Sequence, residues 1–169
     1  LVLERKRRLK KRTQWILLSI LILLLVLFGL HRFYVYIQQD IWIEEKSAIQ
    51  SAKQQTSIIS VDKTWKSVWD EVCWVIKGKN ENGEELMVWL PESGEAHEEL
   101  LANGKSEQQI RNIINQSLPG IRIVRLMPGI YEDEYVWQLF YKEEEHHYYQ
   151  FFRFSDGSAL PDKFTLPNR

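Results

Sequence analysis

A basic cluster running straight into an apolar stretch constrains this chain more than any other feature. The first twelve residues hold seven cations, Arg5, Lys6, Arg7, Arg8, Lys10, Lys11 and Arg12, against one acid, Glu4. From Trp15 to Leu30, only Ser19 and Gly29 interrupt the apolar side chains. As a helix that run is about 24 Å long, slightly less than a ~30 Å hydrocarbon core. Phe33 to Ile37 makes up the difference. His31 and Arg32 can reach back to the interface, and Trp15, Tyr34 and Tyr36 suit the headgroup belt. The expectation is one transmembrane anchor over residues 15–37. Basic residues resist translocation, so seven before the span and Arg32 alone just after it orient the chain N-in, C-out. A cleaved signal peptide shares the pattern, but no small-x-small site follows Leu30, so the anchor is expected to stay. Lipid attachment would need a cysteine just after the run, and the single cysteine is Cys73.

The net charge of −1 conceals a spatial asymmetry. Beyond the eight basic residues and one acid that precede Phe33, the remainder has 14 Lys+Arg and 22 Asp+Glu, a balance of about −8. An acidic exterior argues against a nucleic-acid partner, because phosphate binding needs clustered cations. The basic stub suits anionic lipid headgroups, at roughly 1 kcal/mol per residue near the surface. One cysteine makes no internal disulfide, so the exterior must hold together by packing. Its 132 residues after Ile37 are enough for one ordinary domain or two small ones.

The exterior repeats itself. A shift of 63 residues brings Glu71 onto Glu134, Trp74 onto Trp137, Trp89 onto Phe152 and Gly94 onto Gly157, while Lys46-Ser47 and Lys105-Ser106 correspond at a shift of 59. Aromatic and turn residues matching in the same order indicate an internal duplication. Each copy opens with a helical stripe: Ile41, Ala48, Ile49 and Ala52 in the first, and Ile110, Ile113, Ile114 and Leu118 in the second. Ser106 with Gln109 predicts a capping box, and Pro119-Gly120 a stop. Helices this short need a sheet to cover their apolar face. Three strands follow in each copy: 58–64, 71–77 and 85–90, then 121–127, 134–141 and 147–154. Asn82-Gly83 marks a hairpin. Apolar residues on both faces of Val72 to Ile76 predict a strand covered on both sides. Lys163 to Leu166 offers a further edge strand between Pro161 and Pro167.

The leader and anchor, the paired units, and the segments Trp74-Val75-Ile76-Lys77-Gly78-Lys79-Asn80, Val88-Trp89-Leu90-Pro91 and Val136-Trp137-Gln138-Leu139 resemble the cell wall elongation regulator TseB-like (YpmB-like) proteins of Gram-positive bacteria, relatives of the PepSY domain. The resemblance implies an α+β fold, a transmembrane helix followed by two tandem cystatin-like (PepSY-like) helix-plus-three-strand antiparallel modules. It divides the chain into a cytoplasmic stub (1–14), an anchor (15–37), a first module (38–100) and a second (101–169). It also implies a non-enzymatic regulator in the cell membrane whose partner is a class B penicillin-binding protein of the lateral-wall machinery, with no catalytic residues to carry over. One departure stands out: the second hairpin reads Lys142-Glu143-Glu144-Glu145-His146, without glycine.

The chemistry-bearing residues support that picture. His146-His147 beside three glutamates suggests a metal, but neighbours on a strand point to opposite faces and are poorly placed to share an ion. The apolar flanks of Cys73 describe a small buried hydrophobe rather than a nucleophile. No nucleophile elbow, zinc helix or phosphate loop occurs in the sequence. No catalytic residue, cofactor or metal site is therefore expected. Trp65, Trp69, Tyr131 and Tyr135 lie in or beside polar stretches. They either pack against a sheet edge or present a partner-binding surface. The remaining alternatives are a PepSY-type inhibitor or chaperone of a secreted protease, and an envelope hydrolase with a site assembled from scattered residues.

Overall fold

The computed structural model describes residues 2–167, and the side chains of 2–13 and 37–40 fall outside that description, among them the seven leader cations, Ile37 and Gln38. The chain divides into two compact units, Leu1–Glu44 and Glu45–Arg169.

In the first unit every described residue is helical, part of α1 (Val2–Gln55). Every leucine and isoleucine from Ile16 to Leu30 is at least 45 % exposed. That is unfavourable in water and expected in lipid, where a helix satisfies its own backbone. From Gln14 onward the helix is long and apolar enough to cross a membrane.

The second unit begins with the last turns of α1. Sheet A follows, formed by β1 (Ser60–Val68), β2 (Val72–Lys79), β3 (Glu85–Pro91) and β4 (His97–Leu100). A short 3₁₀ turn and α2 (Glu107–Ser117) lead into sheet B, formed by β5 (Arg122–Tyr131), β6 (Glu134–Glu143), β7 (His146–Arg153) and β8 (Ala159–Leu166). Each sheet is an antiparallel meander in sequence order. Each first strand bulges at an equivalent place, between Val61 and Lys63 and between Ile123 and Arg125. The duplication is thus visible in the backbone. With the bulges aligned, Trp74 and Trp137 correspond, but Phe151 rather than Phe152 takes the place of Trp89, because the second hairpin is one residue shorter.

Among the described residues each sheet has four strands: β4 adds one beyond the three expected in the first copy, and β8 contains the further edge strand expected at Lys163–Leu166 and begins earlier, at Ala159. Pro161 lies inside β8, which is tolerated because β8 is an edge. The helix of the first copy is not separate but continuous with the apolar segment. Ile41 is 47 % exposed and stands outside the packed stripe, which reduces to Ala48, Ile49 and Ala52.

Local chemistry accounts for the ends. Ser106 Oγ accepts from Gln109 N at 3.3 Å and Gln109 Oε1 accepts from Ser106 N at 2.8 Å, a complete capping box. Gly83 takes φ 78°, and the Asn80 carboxamide accepts from Asn82 N and Glu84 N. In the second hairpin Glu144 adopts φ 52° without being glycine.

Two faces of sheet A serve two cores. Ile76, Leu86 and Val88 pack with Ile58 against Ala52 of α1. Cys73, Val75, Met87 and Trp89 face the other way and join Ile110 and Ile114 of α2 with Trp137, Leu139, Tyr141 and Phe152 of sheet B. The strand expected to be covered on both sides is β2. Trp137 is 1 % exposed, whereas Trp74 is only half-buried beneath the Lys66 ammonium.

Candidate functional site

β1 crosses the β5 edge of sheet B. Trp65, Ser67 and Trp69 alternate along the chain and all reach sheet B, but they meet different faces of it. Trp65 touches Trp137 on the α2 side, with ring centroids 6.4 Å apart at 86°. Ser67 Oγ accepts from Gln138 Nε2 at 2.8 Å, a bond buried from solvent, on the opposite face. Trp69 lies beyond it, against Tyr149, Phe151 and Phe164 at 4.8, 5.1 and 5.4 Å. The crossing needs Gly129: a Cβ there would stand 2.1 Å from Gln138 Nε2 and 2.6 Å from Ser67 Oγ. Asp70 completes the contact, accepting from Glu132 N at 2.7 Å. Glu132 and Asp133 both have positive φ, 48° and 61°, the pattern of a type I′ turn.

The four aromatics singled out in the sequence therefore separate into two places. Trp69 and Tyr131 belong to the face of sheet B away from α2. Tyr131 is 5 % exposed and stacks on Phe151 at 4.1 Å, with its hydroxyl donating to Asp162 at 3.0 Å. Burial and the Asp162 carboxylate push its phenol up to about 12. Trp65 and Tyr135 lie in the shared core. Tyr135 stacks on His97 at 4.1 Å and 6° and meets Trp89 at 4.8 Å. Trp89 is fully buried and its indole N–H has no partner among the described residues. Trp137, by contrast, donates to the Lys105 carbonyl at 2.9 Å.

Beside Tyr135 lies a cleft of about 280 Å³ lined by Glu99, Asp133, Glu134, Arg153 and Phe154. Its one cation is already committed, since Arg153 binds Glu134 through two contacts of 2.5 and 3.1 Å. Cys73 has no exposed surface, and burial pushes its thiol up to about 12, far from a thiolate at neutral pH. His146 and His147 take opposite faces of β7: His146 is near Tyr148, and His147 stacks on Phe140 at 5.4 Å.

An open surface lies at the far end of the outer face of sheet B. Among the described residues no helix packs in the core on that face, and Trp69 covers only its middle. Here Phe140 and Tyr149 stack at 4.6 Å, and Phe164 and Leu166 are 39 % and 38 % exposed. Sequence reasoning missed Phe140, His147, Tyr149 and Phe164, although their alternation along β6, β7 and β8 was a signal: strands with apolar residues on both faces and one helix between them leave a face uncovered.

This arrangement has relatives. Residues 47–91, from the last turns of α1 through β3, match the cell wall elongation regulator TseB-like domain. Among solved structures, the YpmB protein from Bacillus subtilis is similar at TM-score 0.64 and 23 % identity, over 72 % of this chain and 96 % of that one. No curated protein matches the chain. At that identity the likeness to YpmB speaks for the fold alone, and what the domain match establishes is a likeness of residues 47–91 to the TseB-like domain.

Proposed function

We propose that this chain is a non-enzymatic, membrane-anchored adaptor that regulates cell wall elongation by binding a class B penicillin-binding transpeptidase. Residues 1–14 lie in the cytoplasm, 15–37 cross the membrane, and the modules 38–100 and 101–169 stand outside. The reading rests on the TseB-like match in a chain whose N-terminal helix is exposed and long enough to span a membrane. The buried, protonated thiol of Cys73 and the committed Arg153 agree with work done by surface complementarity rather than by reaction. In this reading Trp65 and Tyr135 hold the modules in register, and Trp69 and Tyr131 shape the face offered to the partner. The anchor confines both proteins to one surface and raises their effective concentration.

The test replaces residues 15–37 by an unrelated N-in span and follows transpeptidase abundance, wall insertion and crosslinking of the two proteins in cells. Full function with the foreign span supports a tethered adaptor. A purified full chain that turns over peptidoglycan or peptide, and is inactivated by one conservative side-chain change, overturns it.

A further inference from the structure

The open end of sheet B is built as two cross-strand rows. Register places Arg125, Phe140, Tyr149 and Phe164 side by side across β5 to β8, and Arg122, Lys142, His147 and Leu166 in the next row on the same face. Each row begins with arginine and ends on an apolar side chain at the β8 edge. Three strand spacings separate the two ends, roughly 14 Å.

The charges here oppose those of the rest of the exterior, whose balance from Phe33 onward is about −8. Lys142 is paired with Glu145 at 3.4 Å. Arg125 is held over Phe140 at 6.0 Å and donates to the Tyr149 hydroxyl at 2.8 Å, bonds that orient the guanidinium without neutralising it. Among the described residues neither Arg122 nor Arg125 has a carboxylate in ion-pair reach. Two unneutralised guanidiniums beside stacked aromatics form the combination enriched at the centres of protein interfaces. A lipid surface would gain little from two cations at roughly 1 kcal/mol each.

We infer that this face docks an acidic segment of a partner protein, its carboxylates on Arg122 and Arg125 and a large apolar side chain about 14 Å away on Phe164 and Leu166. The inference rests on the adaptor reading and gives it a location.

The test presents the full chain, in phosphatidylcholine nanodiscs, to a displayed library of random 12-residue peptides. Binding of the selected peptides is then measured against Arg125→Glu and Arg122→Glu. Both positions are exposed, and unchanged thermal unfolding confirms that each variant folds. Selected peptides should carry Asp or Glu toward one end and a bulky apolar residue toward the other. They should bind each variant at least tenfold more weakly and weaken as salt rises. Enrichment of peptides without acids, or equal binding by both variants, overturns the inference. So does Arg125-dependent binding to phosphatidylglycerol vesicles when no peptide is selected. Placing Arg125→Glu in cells separates the two readings. Loss of the transpeptidase crosslink supports the docking face. An intact crosslink with intact wall regulation overturns the face and leaves the adaptor standing. Absence of the crosslink in the unaltered protein defeats the adaptor reading alone, and the peptide result still decides the face.

Discussion

Trp65 meets Trp137 edge to face, at 86° and 6.4 Å between ring centroids, and the pair carries the first module's sheet into the core of the second. Such a contact contributes about 0.5–1.5 kcal/mol beyond the burial of the rings. Trp137→Ala should destabilise the full chain in detergent by about 3–5 kcal/mol, as large core truncations do. Trp74, its counterpart in the repeat, is half-buried, so Trp74→Ala should cost only about 1–2 kcal/mol. Equal losses in chemical denaturation would contradict the difference in burial.

Two buried indoles make a sharper comparison. The Trp137 N–H is bonded to the Lys105 carbonyl, while that of Trp89 has no partner among the described residues. Replacing a bonded donor strands its acceptor, whereas replacing an unbonded one relieves a desolvated group. Trp137→Phe should therefore cost about 1 kcal/mol more than Trp89→Phe, measured by denaturant midpoint at unchanged slope.

At Gly129 the prediction is steric. Alanine would press on Gln138 and Ser67 and break their buried bond, so Gly129→Ala should cost at least about 1–3 kcal/mol. Ser67→Ala removes only the acceptor and should fall at the lower end of that range. A neutral Gly129→Ala would mean that β1 crosses elsewhere.

Stability should fall at both extremes of pH. Burial works against a charged Glu107, but hydrogen bonds and charge from Arg111 and Lys63 outweigh it and hold its pKa below the ordinary value. A depressed carboxylate contributes stability above its unfolded pKa and loses it as pH falls through the folded one, so the acid-side loss should shrink in Glu107→Gln. Tyr131 and Cys73 are pushed up to about 12, so what they contribute is complete below their unfolded values and is lost as pH rises toward 12. Tyr131→Phe should remove a late-titrating tyrosinate from the 295 nm absorbance. At neutral pH the native thiol should react far more slowly with an aromatic disulfide reagent than the unfolded chain does.

Several elements were legible because their causes are local. The long apolar helix is a matter of composition, the Asn82-Gly83 turn needs a positive φ, and the Ser106–Gln109 box spans a single helical turn. What escaped depends on residues distant in sequence. His97-Glu98-Glu99-Leu100 looks like a polar loop, yet it pairs with β3 as a strand. Glu98 accepts from Ser57 N and Oγ at 2.6 and 2.7 Å, 41 positions away, and His97 stacks on Tyr135 of the other module. Pro161 disguised the first half of β8, whose partner β7 tolerates it because no further strand pairs with that edge. Trp65 and Trp69 were recognisable as unusual for their polar surroundings, but not as residues reaching opposite faces of one sheet, because that depends on β1 crossing at Gly129.

The shared core also sets an order of events during synthesis. When β4 has emerged, the face bearing Cys73, Val75, Met87 and Trp89 still lacks the α2 and sheet B residues that will cover it. At ~5–20 residues per second that face waits some seconds for Trp137. A chain cut after Leu100 would keep it bare permanently, with a sheet apolar on both sides and a helix for only one of them. Each half leaves an apolar face that the other covers, so a nick or premature stop between them should yield an aggregating fragment rather than a working half.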